Sequence, residues 1–293
     1  MRILLITNPA AGASNRSQIN LLDWVTRFAG HTVTIETPKT PDEALRAVQR
    51  CVAEGYDRIL TMGGDGTINS IVSALAETEI ALGIIPTGTV NVLARELGIP
   101  LDPLKALEVA LAGRIRRLDL GIANGKCFTL MAGLGFDAKV VSEIVPRWKE
   151  LFGPVAYLTA GLQVLTRYKP SHFTLTLENN TFSLPAWLLV VGNAGYYAYE
   201  MCIARDASMD DGMLDVIVFA EQNALDRLLQ IGAVFVGRHI DHPNVLYFRT
   251  RAITITADPP VTVQLDGDPA GSSPVDISVW PGALSVIVPK TGA

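Results

Sequence analysis

Short apolar runs and helical spacings take turns through the first third of this chain. Residues 2–7, Arg-Ile-Leu-Leu-Ile-Thr, read as a strand leading through a turn into a helix around 17–28. A strand over 31–36 leads to a helix over 41–54. A strand over 58–62 leads to a glycine turn and a helix from Ile68 to Leu75, and a strand over 81–85 to another turn and a helix through Leu97. Strands separated by helices of this length predict a parallel sheet covered on both faces. Asp42, just after Pro41, suits the first turn of its helix.

After about Gly113 the rhythm changes. Strand-like runs at 116–123, 126–132, 172–177, 181–191, 214–219, 246–257, 261–265 and 284–288 have few helices between them, which predicts a largely antiparallel second domain. Helical stretches are expected at 138–166, broken at Pro146 and Gly153-Pro154, and at 224–237. There is no internal repeat and no low-complexity segment. Two domains follow, 1–115 and 116–293, with the C-terminal tail free to pack back on the first.

Composition narrows the class. A hydrophobic fraction of 49% is ample for two cores, yet the apolar stretches break well short of the roughly 18–20 residues of a spanning helix, so none is expected. The first residues are too briefly apolar for a signal peptide and turn at once into Asn8-Pro9. Cys51, Cys127 and Cys202 lack metal-ligand spacing and fit a reduced, cytoplasmic compartment. A net charge of -5 argues against nucleic acid as a partner.

The chemistry concentrates in loops. Gly63-Gly64-Asp65-Gly66-Thr67-Ile68-Asn69 closes one strand and opens a helix, where open α/β sheets place their ligands. Its glycines let backbone approach a phosphate, and the helix start offers amides. A carboxylate beside phosphates is repulsive unless a cation mediates, so Asp65 predicts Mg²⁺. Pro86-Thr87-Gly88-Thr89-Val90-Asn91 is a second such turn one βα unit later, with Thr89 as phosphate contact or helix cap and Arg95 as countercharge. Asn8-Pro9-Ala10-Ala11-Gly12 and Thr37 lie at the same predicted edge.

In the second half, Gln264-Leu265-Asp266-Gly267-Asp268 reads first as an Asp-Gly hairpin and second as a source of a general base. Ser208-Met209-Asp210-Asp211-Gly212-Met213 is an acidic turn or a divalent-ion loop. His31, His172, His239 and His242 have no zinc spacing. With no Walker A sequence and no Gly-x-Ser-x-Gly elbow, a P-loop NTPase and an α/β-hydrolase are poor fits.

Taken in order, these five glycine and aspartate motifs resemble the bacterial diacylglycerol kinase and lipid kinase family, whose catalytic domain is shared with sphingosine and ceramide kinases. The resemblance implies an N-terminal α/β domain with a parallel sheet, similar to 6-phosphofructokinases and NAD kinases, and a mainly antiparallel β-sandwich C-terminal domain, with ATP and lipid meeting in the cleft. It implies ATP contacts at Asn8, Thr37, Gly63, Gly64, Asp65, Gly66, Thr67, Asn69 and Thr89, and catalytic roles for Asp268, Asp65 and Arg95. Its Mg²⁺ loop falls on the carbonyls of Ser208 and Met213 and the side chain of Asp211.

Three positions depart from the family pattern. Val92 stands where diacylglycerol kinases usually carry Asp, Ala13 where some place Lys, and Asp268 where Glu is more usual. The expected activity is phosphorylation of a diacylglycerol or related lipid at a membrane surface. A cytoplasmic protein is expected, with attachment to the inner membrane face and homodimerisation left open. Residues 148–158, flanked by Arg147, Arg167 and Lys169, read as a membrane-facing element or as packed core helices. An NAD kinase-like enzyme and a nucleotide-binding module without catalysis are the alternatives.

Overall fold

The structure, a computed structural model, describes residues 1–7, 16–143, 168–178, 180–198, 201–220 and 223–290. The chain divides into two compact units, Met1–Leu120 with Trp280–Ala293, and Gly121–Val279. The stretch 148–158, read as a membrane-facing element or as packed core helices, lies with Arg147 and Arg167 outside the described residues, as does Asn8.

The first unit is the alternating α/β domain. Its elements are β1 (Arg2–Thr7), α1 (Arg16–Phe28), β2 (Thr32–Glu36), α2 (Pro41–Ala53), β3 (Arg58–Gly63), α3 (Asp65–Leu75), β4 (Ala81–Pro86), α4 (Val92–Glu96) and α5 (Pro103–Ala112). The strands lie in the order β4-β3-β1-β2, all parallel, with Ile3 opposite both Val33 and Arg58, and Arg58 opposite Ala81. Every residue of β4 is buried, the near-continuous apolar run of a parallel strand covered on both faces. Helix α2 begins where Thr40 accepts the Glu43 amide at 3.2 Å and Pro41 takes the first helical position. It buries Ala44, Ala47, Val48 and Cys51, a stripe at helical spacing. Burial holds the Cys51 thiol up to about 12, so it stays a neutral core thiol.

The remaining strands are β5 (Arg114–Ala123), β6 (Lys126–Phe128), β7 (Met131–Gly135), β8 (Ser171–Thr176), β9 (Thr181–Gly192), β10 (Tyr196–Ala198), β11 (Met201–Cys202), β12 (Leu214–Ala220), β13 (Val245–Thr250), β14 (Ala252–Asp258), β15 (Thr262–Leu265), β16 (Asp268–Ser272) and β17 (Val275–Val288). Strands β5 and β17 each run through both units. In the first unit β17 adds a parallel strand beside β4 through Val286 and Leu82, and the Gly282 amide donates to Asp119 at 2.7 Å.

In the second unit the pairings are antiparallel and branch at β9, whose N-terminal half pairs with β8 and whose C-terminal half lies between β7 and β12. Phe128, Phe173, Leu189, Val191, Val216, Val218, Ile255 and Ile277 form its apolar core. Helices α6 (Phe136–Glu143) and α7 (Ala224–Phe235) belong to this unit. Two single strands expected from the pattern are each two: 126–132 breaks at Thr129-Leu130, and 246–257 breaks at Arg251. The first break has a cause in the site described next.

Gly83 on β4 faces α5. A methyl group there would press on Leu60 Cδ2 and stand 2.8 Å from Ala110 Cβ. We expect Gly83→Ala to lower stability by about 1–3 kcal/mol through overpacking, read as a reduced midpoint in urea unfolding.

Candidate active site

Because the strands of the first unit are parallel, their C-terminal ends share one edge. Thr7 and the residue after β2, Thr37, meet there, Oγ1 to Oγ1 at 3.1 Å. Thr37 also lines a shallow depression of about 580 Å³ with Glu36, Glu43, Arg46 and Arg50.

The two glycine turns are packed backbone against backbone. A Cβ on Gly88 would come within 2.6 Å of Gly64 Cα, and one on Gly63 within 2.7 Å of Thr67 Cβ, so glycine is required by contact rather than by φ. The Thr87 amide donates to the Gly63 carbonyl at 3.0 Å. Asn91, held in the left-handed region at φ 54, closes the second turn by accepting the Gly88 amide and donating to the Gly88 carbonyl, both at 2.9 Å. Gly66 and Thr89 are exposed, Asn69 is half-buried on α3, and Thr67 is buried beneath Gly63.

Asp65 finds a partner that the sequence did not suggest. Its two oxygens accept the amides of Val92 at 2.9 Å and Leu93 at 3.0 Å, capping α4 from the neighbouring loop. Thr89 does not cap α4, whose N-cap position is Asn91. Each Asp65 oxygen keeps an acceptor site, so the carboxylate remains able to take water or a hard cation. Arg95 is half-buried and donates from Nε to the Val90 carbonyl at 3.0 Å.

In the second unit the Asp-Gly hairpin and the candidate base are parts of one feature. Asp266 and Gly267, at φ 49 and 87, form the two-residue turn between Leu265 and Asp268, which pair across the hairpin. Asp266 points inward and accepts the Thr129 amide at 2.6 Å, the Thr129 hydroxyl at 2.9 Å, and the amides of Leu130 and Met131 at 2.8 and 2.9 Å. This convergence is what interrupts the strand between β6 and β7. Burial raises the Asp266 carboxyl and these four donors oppose the rise. Asp268, the first residue of β16, is exposed, and its carboxylate has no hydrogen-bond partner among the described residues.

Two further residues of this site were given no role of their own by the sequence reading. The buried Gln264 accepts the Gly267 amide at 2.6 Å and donates to Asp137 at 2.6 Å. Asp137, buried in the first turn of α6, also receives the Tyr197 hydroxyl, and burial raises its carboxyl against these two bonds. Gly133 leaves the room they need, since a Cβ there would stand 2.6 Å from Gln264 Nε2. The only hint in sequence was Gly133-Leu134-Gly135-Phe136-Asp137, a glycine-rich strand end running into an acidic helix start.

The loop at 208–213 lies apart in sequence and carries its own ion pair. Asp211 accepts the Met213 amide at 3.0 Å and is bound by the Arg249 guanidinium, and Ser208 donates to Asp210 at 2.8 Å. Arg249 also lies 3.4 Å from the buried Asp215, whose carboxyl is raised by burial and which accepts the Tyr247 hydroxyl. Carboxylate and carbonyl oxygens here suit a hard cation in kind. In this structure Arg249 pairs with Asp211, and one carboxylate with two carbonyls is the donor set that the loop would offer a cation.

Comparison with known proteins gives a consistent picture. Residues 2–123 match the family described as diacylglycerol kinase catalytic domain, and residues 131–288 the family described as YegS C-terminal NAD kinase beta sandwich-like domain. The diacylglycerol kinases of Staphylococcus aureus strains JH9 and Newman are each 30% identical over 297 residues, spanning 99% of this chain and 93% of theirs. The crystal structure of a diacylglycerol kinase from Bacillus anthracis str. Sterne is similar in fold, with a TM-score of 0.77 at 21% identity, covering 100% of this chain and 98% of that one. Another structure from the same organism reaches 0.85 at 23% identity, covering 100% and 96%.

The Asp266 anchor makes a direct prediction. Asp266→Asn replaces an acceptor of four hydrogen bonds by a group that must turn an NH₂ toward some of those donors. We expect a loss of about 1–3 kcal/mol in urea unfolding, since buried donors left unmatched cost that much.

Proposed function

The chain belongs to the diacylglycerol kinase family, a family of lipid kinases, and on that premise we propose that it transfers the γ-phosphoryl group of ATP to the hydroxyl of a diacylglycerol or related long-chain lipid. The observation that carries the mechanism is the hairpin. It presents an exposed Asp268 carboxylate on a turn that Asp266 and Gln264 hold through buried hydrogen bonds.

In this reading Asp268 accepts the proton of the lipid hydroxyl as its oxygen attacks the γ-phosphorus. The bond from the γ-phosphorus to the bridging oxygen breaks, and ADP leaves with the electron pair. The paired glycine turns bring backbone amides to the triphosphate, with Asn8, Thr37, Asn69 and Thr89 as further contacts, and Arg95 offsets phosphate charge. Asp65 acts first by fixing one turn to the other through α4. Mg²⁺ would be held at Asp65, or in the loop by Asp211 with the carbonyls of Ser208 and Met213, and would supply charge neutralisation. Catalysis of this kind is mostly positioning and electrostatics.

Val92 narrows the lipid no further. Its side chain is buried and its amide serves Asp65, so nothing charged replaces the carboxylate usual in diacylglycerol kinases. Relatives that are diacylglycerol kinases along nearly the whole chain disfavour an NAD kinase and a non-catalytic module.

Purified protein incubated with γ-labelled ATP and a total lipid extract, followed by thin-layer separation, should yield a labelled lipid, and a parallel tube with NAD should yield no labelled NADP. Asp268→Asn should reduce transfer by about 10²–10⁴-fold, the usual share of a general base, with ATP binding retained by calorimetry. Undiminished transfer in that variant would remove Asp268 from the mechanism.

A further inference from the structure

The buried amide of Gln264 can be placed only one way round. Gly267, at φ 87 in the turn, offers an N–H, so Gln264 Oε1 must face it, and the bond is 2.6 Å. Nε2 is thereby turned to Asp137 Oδ2, also at 2.6 Å, while Asp137 Oδ1 receives the Tyr197 hydroxyl. Both oxygens of Asp137 therefore accept, as those of an ionised carboxyl do. Gln264 and Asp137 are only 2% and 6% exposed, so water offers neither a substitute partner.

The fold reserves space for this pair. Gly133 lies opposite Gln264 where β7 pairs with β15, and a Cβ there would collide with Asp137 Oδ2 as well as with Gln264 Nε2. The start of α6 is seated by Phe136, whose ring packs edge-on against Trp187 at 5.2 Å and Tyr168 at 5.7 Å. Gly135 enters the helix at φ 89, and a Cβ there would stand 2.8 Å from the Trp187 carbonyl. Asp137 sits in the first turn of α6, where the helix amides favour negative charge. An Asp-Gly hairpin needs none of these contacts to form, since its turn residues specify it.

We infer that Asp137 is a positioning residue for phosphoryl transfer, which sets Asp268 in place through Gln264 and the Gly267 amide. The inference rests on the reading of Asp268 as the base that accepts the proton of the lipid hydroxyl. Gly267 immediately precedes Asp268, so a rotation of the Gly267 peptide swings the Asp268 side chain with it. Gln264 holds that peptide by its N–H, and Asp137 denies Gln264 its other orientation. With the amide reversed, Oε1 would oppose a carboxylate and Nε2 would oppose the Gly267 N–H. A displacement of about 1 Å costs a positioned group on the order of 10²-fold in rate. Tyr197 extends the chain of bonds to β10.

The test reverses the bond between the two side chains. Asp137→Asn can accept from Gln264 or from the Tyr197 hydroxyl but not from both, and Gln264→Glu sets one buried carboxylate against another. Together the two substitutions restore every bond: the new amide donates to the new carboxylate, which still accepts the Gly267 N–H. Transfer from γ-labelled ATP to a total lipid extract is measured for each protein, with the folded fraction taken from urea unfolding. We expect each single variant to lose about 10–100-fold in rate at saturating ATP, with the KM for ATP within about twofold, and the double variant to return to within about threefold of the parent. Gly83→Ala, which lowers stability in the other unit, should keep the parent's rate. Single variants that transfer at the parent's rate while Asp268→Asn is inactive overturn the inference, as does a double variant no better than the singles. Should both singles fail to fold, Tyr197→Phe decides: a loss of about 2–10-fold, the worth of one hydrogen bond, supports the inference and an unchanged rate overturns it. Undiminished transfer by Asp268→Asn instead overturns the reading of the base on which the inference rests.

Discussion

Four donors converge on the carboxylate of Asp266, and the geometry of the second unit's site follows from that convergence. A carboxylate taken out of water without partners would cost several kcal/mol, so the buried position is tenable only because three consecutive amides and a hydroxyl meet it. In return the amides at Thr129, Leu130 and Met131 are satisfied where the chain leaves the strand ladder. The turn beyond Asp266 is thereby tied to a different part of the sheet. Gln264 adds a second tie, from the Gly267 amide to the buried Asp137. The backbone that carries Asp268 is thereby fixed before any ligand arrives.

The first unit solves its own placement problem with the same kind of bond. Asp65 takes the leading amides of α4, while Gly64 and Gly88 touch at van der Waals range because neither has a Cβ. Together these contacts make two loops from successive βα units into one rigid edge. The carboxylate that looked misplaced in a glycine turn has a structural partner in the leading amides of α4. Helix α7 shows the converse arrangement, in which inward-facing polar bonds fix a helix and leave its leucines outside. Polar groups thus set the orientation of the glycine turns, the hairpin and this helix, and apolar packing supplies the cores that hold them.

Much of the architecture was legible in sequence. The strand and helix alternation of the first unit, the antiparallel character of the second, and the Asp-Gly hairpin each follow from hydrophobic period or turn chemistry, which are local properties. The split of 126–132 into two strands was not legible, because its cause, Asp266, lies more than a hundred residues away. The bond between Gln264 and Asp137 was not legible for the same reason, since it joins residues 127 positions apart. Arg249 was missed because nothing near Asp211 in sequence announces a guanidinium brought by a neighbouring strand.

The sequence by itself determined which segments become strands, which turns need glycine, and which carboxylates stand in loops, since these depend on residues a few positions apart. Only the tertiary structure decided what each carboxylate does. Asp65 caps a helix begun 27 residues later, Asp266 anchors a turn, Asp268 is left open, and Asp211 is paired with Arg249. The helical spacing of α7 is equally visible in sequence, but spacing states only that two faces differ. Which face is buried was decided by Trp187, Ala220 and Asn244, the partners that the fold brings to its polar side.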